Sequence, residues 1–237
     1  MTQHFTSTRI GNHLLAQLPD ALIDCLKPNL QRVPLVAGQR LFHADAPPRA
    51  IYFPESGLAS LVVSLRSGEA LDVDVVGNDG VAGLSASGRI DAMACEAVVQ
   101  IEGSALRIDA DIIRRQMASH EPLHALMSQY AHLMLVRSMQ SAACVAFHSV
   151  KERCARWLLV AHDLVERDEL PLTHDRLARL LGVRRVSVTL VLGTMVAAGL
   201  IGHSRGRVVI RSREALERAS CECYTVLRGA RLRLLGF

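Results

Sequence analysis

Residues 171–210, PLTHDRLARLLGVRRVSVTLVLGTMVAAGLIGHSRGRVVI, constrain this chain more than any other stretch. They read as helix, tight turn, helix, and then a two-stranded hairpin with arginines at its tip. Thr173 suits a helix N-cap, because its hydroxyl can accept from a free N–H of the opening turn. Leu177, Leu180 and Leu181 follow at helical spacing. Gly182 then stops the helix where the backbone needs a positive φ. A second run starts near Arg184 and directs Val188, Val191, Leu192, Met195 and Val196 inward. Such a helix–turn–helix sets its second helix in a DNA major groove, N-terminal residues against the base edges. Here that end carries Arg184, Arg185, Val186 and Ser187, with Thr189 one turn on. Ser204, Arg205, Gly206 and Arg207 form the turn of a wing.

The charge lies where the motif is. From Leu170 to Phe237 there are 12 Arg and no Lys against 4 acidic residues, a balance of +8. The whole chain is +4, so the first 169 residues carry −4. A basic end attached to a mildly acidic remainder is the electrostatic footprint of a DNA-binding module joined to a control domain. An ordinary helical hairpin with a wet arginine face would account for the spacing, but not for this separation of charge.

The remainder supports a sizeable core. Half of the 237 residues are hydrophobic and mean hydropathy is +0.22. No apolar run approaches the roughly 18–20 residues needed to span a bilayer, and the N-terminus lacks a basic patch followed by an apolar stretch. The six cysteines are scattered rather than arranged as a disulfide framework. The expectation is a cytoplasmic chain with no membrane partner. Between about Val33 and Ile108, short apolar blocks (AIYF, LASLVVSL, ALDVDVV, AVVQI, SALRI) alternate with turn formers such as Gly57 and Gly77-Asn78-Asp79-Gly80. This pattern predicts an antiparallel sandwich or roll of short strands. Asp72 and Asp74 alternate with Leu71, Val73 and Val75, which predicts one wet face. From about Pro122 to Phe147 a long helix follows. Leu123, Met127, Tyr130 and Met134 form a stripe that fits either a coiled-coil seam or packing on its own domain. Arg137 comes next in that stripe. Ser149 to Val165 is a further helix.

In this order, nearly the whole chain resembles the Crp/Fnr family of bacterial transcription regulators. The resemblance rests on AGQRLFHADAPPRAIYFPESG, VAFHSVKERCARWLL, residues 171–210 and the tail REALERASCECY. It implies an α+β fold: an N-terminal antiparallel, jelly-roll-like β-roll (1–120), a dimerisation helix (121–147) and a C-terminal winged helix–turn–helix (148–237). It also implies a homodimer on palindromic double-stranded DNA, with RNA polymerase as a partner if the protein activates.

Departures from the family pattern bear on the signal. The glutamate that holds a cyclic nucleotide's ribose aligns near Val81, and the Arg-Ser pair for its phosphate aligns with Met93-Ala94. A buried phosphate needs a compensating charge and donors, and Arg89 is the sole cation of that stretch. The Thr-Ser pair turned toward adenine aligns with Ser138-Met139. Control by classical cyclic AMP binding is therefore not expected. An effector pocket, if one exists, involves Val81, Arg89, Met93, Ala94, Arg137 and Ser138. No cofactor and no metal site is expected. Only Cys25 precedes the roll, too few for an iron–sulfur cluster. Cys221 and Cys223 are two ligands, not a closed site. His120 and His124 lack a third ligand. A sensor that uses haem through His43 or another histidine is the alternative that stays open, because a single axial ligand leaves no spacing signature.

The resulting site assignment gives Arg185 a guanine, through its forked guanidinium. The family's Arg-Glu-x-x-x-Arg reading pattern falls on Arg185, Val186 and Leu190, so only its first residue is retained. Val186 suits a thymine methyl. Ser187 and Thr189 suit phosphate or a base edge, while Arg184, Arg205 and Arg207 suit the DNA backbone, with Thr173 and Ser204 beside them. Two other classes are weaker. A metal-dependent oxygenase needs clustered His and carboxylate ligands on neighbouring strands, and the roll offers only His43. A module that binds acidic protein is the other, and salt titration of binding to generic duplex DNA separates it from a DNA reader, whose affinity falls steeply with salt.

Overall fold

The computed structural model describes residues 3–4, 10–87 and 94–237. The chain runs β1 (Gln3–His4), α1 (Asp20–Leu26), β2 (Gln31–Leu35), β3 (Arg40–Phe42), β4 (Ala50–Ser64), β5 (Ala70–Val76), β6 (Glu96–Asp109), α2 (Ala110–Ser119) and α3 (Glu121–Phe147). It continues through α4 (Val150–Val165), β7 (Glu169–Leu170), α5 (His174–Leu181), α6 (Arg185–Ala197), β8 (Ile201–Ser204), β9 (Arg207–Ile210), α7 (Arg213–Ala219) and α8 (Cys223–Leu235). The expected class holds: an antiparallel N-terminal sheet, a long helix, and helix–turn–helix elements with a small sheet.

The first sheet is antiparallel, in the order β1-β2-β6-β4-β5, with β3 also on β6. Its strands are longer than the blocks in the sequence suggest. AIYF and all but the last residue of LASLVVSL belong to one 15-residue strand, and AVVQI and SALRI to one of 14 residues. Gly57 is therefore no turn. It takes φ +79° within β4, where the register to β6 shifts, and a Cβ there would lie 2.6 Å from the Ile101 carbonyl oxygen. A bulge at such a residue bends the paired strands without ending them.

The expectation of a wet face on β5 is also corrected. Asp74 is buried and Asp72 half-buried, because the C-terminal half packs over the sheet. A Cβ on Gly77 would sit 2.7 Å from Leu164 Cβ of α4, and one on Gly182 equally close to Leu71 Cδ1. Burial pushes the Asp72 carboxyl up to about 7 and that of Asp74 up to about 6. Ser60 and then Arg179 for the first, and Arg137 for the second, limit the shift.

On α3, Leu123, Leu126, Met127, Tyr130 and Leu133 are buried and pack with Leu14, Phe53, Val81 and Leu106 of the roll. Most of the stripe read from the sequence thus packs on its own domain. Another stripe is exposed: Ser128, His132, Leu135, Met139, Ala142 and Ala146, at alternating spacings of four and three. Periodicity alone did not separate the two because α3 is apolar on both sides.

A break of two residues, His148 and Ser149, separates α3 from α4. Ser149 and Glu152 form a reciprocal capping box that starts α4. Leu158, Leu177, Leu181, Val188, Leu192 and Val208 then build the C-terminal core, and Leu58, Val75 and Ile101 of the roll join it. The last helix, α8, lies along α3. Its Ala230 and Leu235 enter the roll's core, and Gln17 Nε2 donates to the Leu235 carbonyl at 2.8 Å.

Candidate nucleic-acid interface

Local chemistry sets the geometry of the helix–turn–helix. Thr173 Oγ1 accepts from the Arg176 N–H at 3.2 Å and so starts α5. Gly182 closes it at φ +60°, with the Val183 N–H returning to the Ala178 carbonyl. The chain bends by 108° between α5 and α6, within the roughly 90–120° of this motif. Val188, Leu192 and Met195 are buried and seat α6 on its domain. Val191 is only partly covered. Val196 is 42% exposed, a correction to its assigned inward place. The buried stripe runs through 188, 192 and 195, and residue 196 falls beyond its edge.

The opposite face of α6 is open. Arg184 is its N-cap, makes no side-chain cap bond, and is followed by no acidic residue in the first turn. This leaves the positive end of the helix uncompensated, as anion binding requires. Arg185, Val186, Thr189 and Leu190 project outward, with Val186 and Leu190 each 68% exposed. In the family pattern Leu190 is only the place of a missing arginine, so the sequence gives it no contact. In the fold it extends the apolar patch that Val186 begins.

Partners within the chain differ from residue to residue. Arg185 Nε lies 3.4 Å from Asp175 Oδ1, and Arg207 pairs with Glu169. Both pairs are exposed, so each is weak and a phosphate or base can replace the carboxylate. Thr189 is more committed. Its hydroxyl donates to the Arg185 carbonyl at 3.1 Å and lies 2.8 Å from His174 Nδ1. The His174 and His203 rings stand 4.5 Å apart, tying α5 to the wing. Burial and the neighbouring His174 pull the His203 imidazole below its ordinary value.

At the wing tip, Arg205 and Gly206 have φ +48° and +74° between paired Ser204 and Arg207. Two positive φ values in a two-residue hairpin loop match the right-handed twist of the flanking strands. A Cβ on Gly206 would lie 3.2 Å from Thr173 Cγ2. The wing tip, the start of α5 and the first two turns of α6 therefore form one surface.

The candidate effector residues are dispersed. Val81 is a core residue, Ala94 and Ser138 are exposed, and Arg89 and Met93 lie outside the described residues. Arg137 is buried and faces the cleft between β5, α4 and α8. It makes a 2.6 Å ion pair with fully buried Asp79, whose carboxylate also lies 3.4 Å from Arg231. Burial alone would lower the Arg137 guanidinium, but Asp79 and Asp74 outweigh it and hold the group above its ordinary value. Arg137, next in the stripe of α3, thus has its charge satisfied within the chain.

Among the other candidates, His120 Nδ1 lies 3.0 Å from the Gln116 carbonyl and His43 is exposed. Cys144 and His148 join Cys221 and Cys223, so four donors converge where the sequence offers a pair. Among the described residues, no single helix is long and apolar enough to cross a membrane.

Residues 32–120 match the cyclic nucleotide-binding domain and residues 152–219 match the Crp-like helix-turn-helix domain. No curated protein sequence matches the chain. Among solved structures it is similar to FixK2 from Bradyrhizobium japonicum, at 15% identity and TM-score 0.69, covering 81% of this chain and 98% of that one. It is similar to a putative crp/fnr regulator from Eubacterium rectale, at 20% identity and TM-score 0.68, covering 87% and 96%. A third similar structure is the c-di-GMP responsive global regulator CLP from Xanthomonas campestris, at 19% identity and TM-score 0.64, covering 82% and 100%. Fold and matched domains define a DNA-binding regulator with a ligand-binding-type roll. The chain belongs to the Crp/Fnr family of transcription regulators.

Proposed function

We propose that this chain is a homodimeric, sequence-specific regulator in the cytoplasm that binds palindromic double-stranded DNA and is not switched by cyclic AMP in the usual manner. The open N-terminal turn of α6 is the observation that carries the DNA reading. Arg185 reads a guanine there, and Val186 with Leu190 packs on thymine methyls. Arg184, Ser187, Ser204, Arg205 and Arg207, with Thr173 beside the wing, face phosphates. Thr189 acts mainly by holding α6 to α5, since its hydroxyl is already engaged.

The exposed stripe of α3 supports the dimer. Leu135 and Met139, 56% and 62% exposed, fit the facing helix of a second copy in a two-stranded seam. A two-fold pair then spaces its recognition helices about 34 Å apart, one turn of DNA. RNA polymerase is a partner if the protein activates. Selection from random duplexes tests the reading: a shared palindromic motif is expected, and recovery of no motif, or of an asymmetric one bound by a monomer, would overturn it.

The effector reading rests on Val81 and Arg137. Val81 packs in an apolar core, and the Arg137 charge is held by Asp79. Val81 has no polar group to hold a ribose, and Arg137 cannot turn to a cyclic phosphate without breaking its pair with Asp79.

A further inference from the structure

Cys144, in the last turns of α3, and His148, its C-cap, meet Cys221 and Cys223 from the turn that opens α8. Their donor atoms all lie within 4.8 Å of one another. Cys144 Sγ is 3.6 Å from Cys221 Sγ, and Cys223 Sγ is 3.6 Å from His148 Nδ1. Ligands at about 2.3 Å (sulfur) and 2.0–2.1 Å (nitrogen) around a tetrahedral ion stand roughly 3.5–3.8 Å apart. Contraction of well under an ångström per donor closes such a shell. The three cysteines are buried and cluster with one another, apart from the leucine-rich cores. Thiols that act only as small apolar side chains have no reason to gather in this way.

The surroundings also suit a metal. His148 Nε2 lies 3.0 Å from Glu222 Oε2, leaving Nδ1 directed at the thiols. A carboxylate on the far nitrogen is the usual support of a ligating histidine. Gln140 Nε2 donates to Cys223 Sγ at 3.0 Å, a bond suited to a thiolate. The positive charge of Arg153 acts on Cys144 and Cys221, and that of Arg156 on Cys144. They offset the single negative charge that three thiolates leave on a divalent ion.

We propose that Cys144, His148, Cys221 and Cys223 form a closed structural site for a divalent soft metal ion, with zinc the best fit. On binding, three Sγ–metal bonds and one Nδ1–metal bond form, three thiol protons pass to solvent, and no electron is transferred. Four protein ligands leave no open position, so the site is not catalytic. Its place in the fold gives it a mechanical role. His148 lies in the break between α3 and α4, and the metal would fasten that break to the start of α8. The angle between the long helix and the DNA-binding half would thereby be fixed. None of these residues belongs to the DNA-facing surface, so the site stands or falls independently of the proposed function.

The test uses the full chain purified under reducing conditions. Elemental analysis should find about one zinc per chain. Replacement by cobalt(II) should give the thiolate charge-transfer bands and intense visible bands of a tetrahedral site. Cys223→Ser should lose most of the bound zinc and weaken the charge-transfer bands, whereas Cys25→Ser, at an exposed cysteine, should change neither. The wild-type cobalt spectrum decides the matter even if the Cys223 variant fails to fold. Absence of zinc together with an octahedral, sulfur-free cobalt spectrum would overturn the proposal. So would peptide mapping that finds Cys144 and Cys221 joined as a disulfide in metal-supplied protein handled without oxidant or reductant.

Discussion

Under the proposed function, Arg185 and Arg205 put the same guanidinium to two different ends. Arg185 stands on a helix that fixes its direction, restrained by Asp175 at 3.4 Å. Arg205 sits at the tip of a two-residue turn. Arg185→Ala should relax preference at one base pair per half-site, by about 1–3 kcal/mol. Arg205→Ala should weaken binding to all sequences about equally and flatten the log–log salt slope by about one. Binding to a panel of single-base operator variants at several salt concentrations checks both; equal loss on every sequence for Arg185→Ala would contradict its role. Asp79 is the other residue on which much depends, since it is the buried acid between Arg137 and Arg231. Removing one partner of such a group leaves charge uncompensated, and Asp79→Ala should cost about 3–5 kcal/mol in urea unfolding. A loss below about 1 kcal/mol, the worth of an exposed pair, would mean that the network is solvated. Asp72 and Asp74 carry the pH dependence. Folding raises both carboxyls from the ordinary 3.8, to about 7 and about 6. Their contribution is therefore complete below about pH 4 and is lost as pH rises through those values. In Asp74→Asn the thermal midpoint should fall less between pH 5 and pH 8 than in the parent chain. An identical fall would show that Asp74 titrates normally.

Among the elements, α3 has two tasks on two faces. One buries Leu123, Met127 and Tyr130 against the roll, while the other leaves Leu135 and Met139 exposed. Leu135→Glu should therefore spare the fold of the chain but place like charges across a two-stranded seam. Light scattering should report a monomer with an unchanged far-ultraviolet circular dichroism spectrum, and binding to a full palindrome should weaken more than binding to a half-site. A variant that stays dimeric would place the seam elsewhere. The wing and α6 behave differently, because their direction depends on α5. Thr173 caps α5, His174 meets Thr189 on α6 and His203 on β8, and the Gly206 turn lies beside Thr173.

Over the whole molecule, the roll and the DNA-binding half are not separate bodies joined by a linker. Leu58, Val75 and Ile101 share a core with Leu164 and Leu181, and Arg176 donates to the Gln100 carbonyl at 2.6 Å. A signal can act only by favouring one arrangement of this shared packing over another. Cyclic AMP is not expected to be that signal. Calorimetry should show no micromolar binding of cyclic AMP or cyclic GMP, and neither should tighten the DNA complex. Micromolar binding that does so would overturn the reading and point to Arg89 as the phosphate ligand. The sequence by itself determined what depends on neighbours in the chain: the Thr173 cap, the Gly182 stop, the inward face of α6 apart from Val196 at its edge, and the Arg205-Gly206 turn. Each follows from local φ/ψ limits or helical period, which need no partner element. Only the tertiary structure decided what depends on distant residues meeting. It turned the aspartates of β5 inward beneath the arginines, carried β4 past Gly57 by pairing it with β6, and chose which apolar face of α3 stays open. It also brought Cys144 to Cys221 across 77 residues of chain, because chain spacing does not record a contact made by folding.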